Sequence, residues 1–167
     1  MEHHTSLILS FLRDIGIGYS LEEIEGETFL PGLKLRAGTL IIDRGKLLYP
    51  GDILHEAGHL ACMPPDIRKN MSDNLPGGDL HDGGELMAIA WSYAACIYLN
   101  IDAKVVFHEH GYKNGSDAII ENFKASRFIA VPLLQWLGMT YDEKQAQIHE
   151  LPPYPAMQKW LCTERPG

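Results

Sequence analysis

The chain has few cysteines. Cys62, Cys96 and Cys162 make an odd number with no CxxC pair, which argues against a disulfide framework and against a zinc site built on thiolates. Such usage suits a reducing compartment, so the expected location is the cytoplasm. Long apolar runs are missing too. The best, Leu86 to Leu99, stops short of the roughly 20 residues a membrane helix needs and contains Ser92. The N-terminal Met1-Glu2-His3-His4-Thr5-Ser6 has no basic stretch, and the apolar residues from Leu7 to Leu12 are broken by Ser10, so this does not read as a signal peptide. Positive charge is scarce: 14 Lys+Arg face 22 Asp+Glu, the formal net charge is -8, and the longest basic cluster is Arg68-Lys69. A polyanion would meet general repulsion, so neither a nucleic acid nor a membrane is expected as a partner.

What is plentiful is histidine, 8 in 167 residues, about twice an average share. With 46% hydrophobic residues, the length suits one domain over 1–167 with a sizeable core and is too short for two ordinary ones. Thr5 or Ser6 can cap a first helix on the outside of the core, with Leu7, Ile8, Phe11, Leu12 and Ile15 at helical spacing and Gly16 at its end. From Thr28 to Tyr49, short β-favouring runs divided by glycine predict a small antiparallel sheet of about three strands, the last two joined through Asp43-Arg44-Gly45-Lys46. Asp52 then caps a helix from Ile53 to about Cys62, which must stop at Pro64-Pro65. After a Pro- and Gly-rich connection over 63–83, a second helix runs from Glu85 to about Leu99 with a wide apolar side. Beyond residue 100 the pattern is mostly helical: Ser116 caps one segment, with further helices around 133–137 and 156–161. Trp91, Tyr93 and Trp136 read as core residues. The fold class is α+β.

The chemistry concentrates in Ile53-Leu54-His55-Glu56-Ala57-Gly58-His59-Leu60-Ala61. Residues four apart sit about 40° apart around a helix and one turn along it, so His55 and His59 can both reach one metal ion. Glu56 can face a water on that ion without binding the ion itself. At this chain's own residue frequencies, a chance match to the pattern anywhere has a probability of roughly 3%. The plainer reading is a helix with two solvated histidines. A catalytic zinc takes a third protein ligand and keeps one position open. Glu85 is the leading candidate, a single acid opening an otherwise uncharged helix; its plainer role is to favour the positive end of the helix dipole. His81 and Asp82 compete as ligand, oxyanion stabiliser or hydrogen-bond partner, and Asp52 can also accept a hydrogen bond from a liganding imidazole. His108-Glu109-His110-Gly111-Tyr112 is either an ordinary surface loop or a cluster that brings a His or Tyr over the metal. Cys62 reads as a small buried thiol, and His3, His4 and His149 as incidental.

With His55-Glu56-Ala57-Gly58-His59 followed by Glu85 on the next helix, the chain resembles the gluzincin metallopeptidases, especially their minimal single-domain bacterial and phage forms. The resemblance covers about 28–99. It implies a zincin-like core with the small sheet packed on the HExxH helix and a glutamate-bearing helix, leaving 100–167 as a helical C-terminal part. It further implies His55, His59 and Glu85 as zinc ligands and Glu56 as general base. Thermolysin-like members carry an acid four residues after the ligand glutamate, where this chain has Ile89, and the third histidine of metzincins would fall at Pro65. The implied function is zinc-dependent hydrolysis of a peptide or protein substrate. The alternative is a zinc-binding regulatory or scaffold domain without peptidase turnover.

Overall fold

The computed structural model describes residues 2–73, 83–112 and 115–165, together with the helical backbone of 80–82. The side chains of His81 and Asp82 lie outside the described residues.

The first helix, α1, spans Glu2–Ile15. It starts before Thr5, so neither Thr5 nor Ser6 caps it. Ile8, Leu9, Phe11 and Leu12 are buried, which makes it part of the core rather than an outer element. Gly16 ends it at φ +86°, a conformation open to a residue without Cβ, while Ile17 N–H donates to the Leu12 carbonyl at 2.9 Å.

Three short strands follow: β1 (Tyr19–Leu21), β2 (Leu33–Arg36) and β3 (Thr39–Ile42). Their order is β1-β3-β2. β2 and β3 form an antiparallel hairpin turned at Ala37-Gly38, while β1 pairs with β3 in parallel. The sheet is therefore mixed, not wholly antiparallel. Tyr19–Leu21 precedes the region where strands were expected, and so short a run has no periodicity of its own. The expected hairpin through 43–46 is absent as well. Asp43 instead begins a turn leaving β3, accepting N–H groups of Ile24 at 3.0 Å and Gly45 at 2.9 Å on its carboxylate. Those two bonds explain why a carboxylate is tolerated in a buried position.

The two central helices are α2 (Gly51–Ala61) and α4 (Leu80–Leu99), with one turn of helix, α3 (Pro65–Arg68), between them. α2 begins two residues earlier than the Asp52 cap implied: Pro50 holds the cap position and makes no side-chain cap bond. α4 is buried on nearly all sides from Ala88 to Cys96, as expected of a helix without a polar face. The Ser92 hydroxyl within it donates to the Ala88 carbonyl at 2.6 Å. Gly58 decides how close the two helices come. A Cβ at Gly58 would lie 3.0 Å from both Cα and the carbonyl oxygen of Ala88, so the contact is backbone against backbone.

The remainder consists of a 3-10 turn (Ala103–Val105), α5 (Ser116–Lys124), α6 (Val131–Trp136) and α7 (Glu143–His149). Residues 156–161, expected as helix, form none; Met157 pairs instead with Thr140 across a single β-bridge. This tail lies along α4: Tyr154 donates to the Ala90 carbonyl and Trp91 Nε1 donates to that of Trp160. Phe107, Phe123, Leu134, Met139 and Cys162 join Ile8, Leu54 and Trp91 in one connected core. Trp91 and Tyr93 are buried as expected, but Trp136 is 62% exposed. Among the described residues no helix is long and apolar enough to cross a membrane.

Candidate metal centre

Within α2, only His55, Glu56 and His59 are not fully buried. The helix packs everywhere except at its motif residues. Their ring nitrogens converge: His55 Nε2 and His59 Nε2 are 3.1 Å apart. Glu85, brought alongside by the Gly58–Ala88 contact one turn further along α4, places Oε2 at 3.4 Å from the first nitrogen and 3.1 Å from the second. These three residues are the one group of histidine, cysteine or acidic side chains among the described residues that can hold a metal ion.

The dimensions fit such an ion. A tetrahedral site with metal–ligand bonds of about 2.1 Å has ligand atoms about 3.4 Å apart, close to the three separations here. Two neutral imidazoles directing Nε2 lone pairs at each other repel unless a cation or proton lies between them. Two nitrogens and one carboxylate oxygen form a donor set of intermediate softness, suited to zinc and its first-row neighbours. Glu85 is 44% exposed against 13% for His55, so the group opens toward solvent on the Glu85 side.

Charge is arranged to match. Hydrogen bonds from His55 and His59 hold the Glu85 carboxyl far below the ordinary carboxylate range, so Glu85 is ionised. Burial alone would lower the His55 pKa, but the hydrogen bond and charge of Glu85 outweigh it and raise the value. Burial raises the Glu56 carboxyl; the two imidazoles pull it back, and the charges of Asp73 and Glu85 add to the rise. A carboxyl shifted upward in this way is better matched to taking up a proton near neutral pH.

Two residues near the ligands were not marked by any pattern around the motif. Tyr112 places its hydroxyl 2.8 Å from His55 Nδ1, the ring nitrogen facing away from Glu85. Burial raises its phenol pKa well above the usual range, so it remains a neutral hydroxyl. The stretch 108–112 is therefore not an ordinary surface loop. The second residue is His108. Its Nε2 lies 2.9 Å from Asp52 Oδ1, and its ring stacks on Tyr49 with centroids 3.9 Å apart. Asp52 thus neither caps α2 nor supports a candidate ligand; burial raises its carboxyl despite the pull of His108. Ser116 is no cap either, since Gly115 precedes α5 and the Ser116 hydroxyl donates to the His108 carbonyl at 2.6 Å. The only available signal was composition: two histidines and a tyrosine in five residues.

The outer edge of β2 is occupied by the chain itself. Asp73 N–H donates to the Leu35 carbonyl at 3.2 Å, and Asp73 Oδ1 accepts the Leu35 N–H at 3.0 Å. Cys62 is buried, and burial lifts its thiol far above the reactive range. A cavity of about 440 Å³ lies by Lys104, Phe107, His108, Glu109, Ser116 and Asp117, and none of the three candidate ligands lines it.

No protein-family model, curated protein or solved structure matches this chain. The class supported by fold and site is thus an α+β protein with a candidate His-His-Glu metal group, and it rests on these residues alone.

Proposed function

We propose that this protein is a zinc-dependent hydrolase of gluzincin type, acting on a peptide or protein amide, with His55, His59 and Glu85 as ligands and Glu56 as general base. The observation that carries this reading is the convergence of His55 Nε2, His59 Nε2 and Glu85 Oε2 to within 3.1–3.4 Å beside a raised Glu56 carboxyl. Zinc held there supplies Lewis acidity, making water a better nucleophile and an amide carbonyl a better electrophile. Glu56 takes the proton from the attacking water at a carboxylate oxygen as the C–O bond forms. It then delivers that proton to the amide nitrogen as the C–N bond breaks, and leaves the cycle ionised. Ionised Glu85 offsets cationic charge between the imidazoles, and the solvent-facing side of the group leaves room for substrate.

The deciding experiment compares wild type with Glu56→Gln in zinc analysis and in cleavage of a peptide library. Glu56→Gln should retain zinc at wild-type stoichiometry and lose turnover by a factor of about a thousand or more, the scale on which general-base removal acts together with altered water orientation. Cleavage by Glu56→Gln at the parental rate would exclude the general-base role.

A second reading, a metal-binding regulatory or scaffold domain without turnover, draws support from the Asp73–Leu35 pairing. The edge of β2, to which an extended peptide would add, is already taken in part. Stoichiometric zinc with no cleavage of any library member by wild type favours this reading.

A further inference from the structure

An imidazole has two ring nitrogens, and a neutral ring offers a lone pair to a metal at one only when its proton resides on the other. For His55 the metal-facing nitrogen is fixed by its neighbours: Nε2 lies toward His59 and Glu85. The opposite nitrogen, Nδ1, has Tyr112 Oη at 2.8 Å. The two rings meet edge-on at 87°, with centroids 5.5 Å apart, so the phenol reaches the imidazole with its hydroxyl rather than its face.

Tyr112 comes from a stretch 57 positions away, and several features bring it there. A Cβ at Gly51 would lie 1.9 Å from the Val105 carbonyl oxygen, so only glycine lets the 103–105 turn close against the start of α2. The Asp52–His108 bond and the Ser116 hydroxyl on the His108 carbonyl then fix the following residues. Phe107 packs on the Tyr112 ring at a centroid distance of 5.2 Å. The hydroxyl is thus held by backbone packing and partly buried hydrogen bonds independent of any metal.

We propose that Tyr112 is a positioning residue for metal binding, accepting the Nδ1–H of His55 and so holding that ring in the tautomer that leaves Nε2 free toward His59 and Glu85. This rests on the reading of His55 as a metal ligand. A carboxylate in the same place would do the same work while adding negative charge to a region that already holds Glu56, Glu85 and Asp52. Tyr112 orients the ring and contributes no charge.

The test measures zinc affinity by competition with a chromophoric chelator for wild type and Tyr112→Phe, with Co2+ absorption and the thermal melt of the metal-free proteins recorded alongside. Phenylalanine keeps the packing on Phe107 and removes only the hydroxyl. The expected result is a tenfold to hundredfold loss of zinc affinity and an altered Co2+ spectrum in a variant that still folds without metal. Affinity within twofold of wild type would overturn the role of Tyr112 while leaving the metal site standing. If wild type itself takes up no zinc, this role and the proposed function fall together. Ring 15N NMR of zinc-loaded wild type gives a check that needs no variant: His55 should carry its proton on Nδ1, and a proton on Nε2 would refute the assignment.

Discussion

Asp52 Oδ1 and His108 Nε2 meet at 2.9 Å across 56 positions of sequence, three residues before the first histidine of the motif. Burial raises the Asp52 carboxyl in spite of this bond, so removal from water outweighs the attraction of the imidazole. The bond therefore holds the chain in place more than it adds net stability. His108→Ala, which leaves Asp52 buried without a partner and removes the stacking on Tyr49, should cost about 3–5 kcal/mol. Asp52→Asn keeps an acceptor for the ring N–H and should cost within about 1 kcal/mol. Urea unfolding in chelator measures both, and equal losses would show that the charge of Asp52 holds the pair.

Zinc that binds the folded chain and not the unfolded one must stabilise it. At a free concentration a thousand times Kd the gain is about 4 kcal/mol, seen as a raised Tm that chelator reverses. His55→Ala, His59→Ala and Glu85→Ala should each abolish the shift. A full shift in Glu85→Ala would remove Glu85 from the ligand set.

Gly58 lies between the two motif histidines in sequence. Its missing Cβ lets the backbone of α4 approach α2, and Glu85 sits one turn before the contact residue Ala88. In Gly58→Ala, crowding of about 1–3 kcal/mol opposes a gain in helix propensity of up to about 1 kcal/mol. A net loss of stability is expected, together with weaker zinc binding, because Glu85 is carried away with α4. Unchanged zinc affinity would show that α4 yields without moving Glu85.

Acid stability should depend on Asp43. Hydrogen bonds from the Ile24 N–H first, then those of Gly45 and Lys46, hold its carboxyl below the ordinary value. A depressed carboxyl pKa contributes stability that is present above the unfolded-state value near 4 and is lost as pH falls through the folded value. Thermal melts from pH 6 down to pH 2 should therefore show a decline that is shallower in Asp43→Asn, which starts from a lower Tm. Parallel curves for the two proteins would place the acid-sensitive group elsewhere.

The local features were legible because their causes are local. The apolar spacing of α1, α2 and α4, the stop at Pro64-Pro65 and the HExxH spacing all follow from 3.6 residues per turn and from what proline and glycine permit. Glu85 stood out as a lone acid on an apolar helix. Less legible were the three-residue strand at Tyr19–Leu21 and its parallel pairing with β3, since no pattern so short specifies a partner. Trp136 follows the same logic: aromatic character favours burial, but neighbours decide it, and here it is exposed.

By itself, then, the sequence determined that two histidines and a glutamate would share one face of a helix. The tertiary structure decided which groups surround that face. It brought Glu85 to within 3.1 Å of His59 through the Gly58–Ala88 contact, set Tyr112 behind His55, and joined Asp52 to His108 rather than to a helix terminus. Helical spacing is written in neighbouring residues, whereas a meeting across 56 positions depends on how every element between them packs.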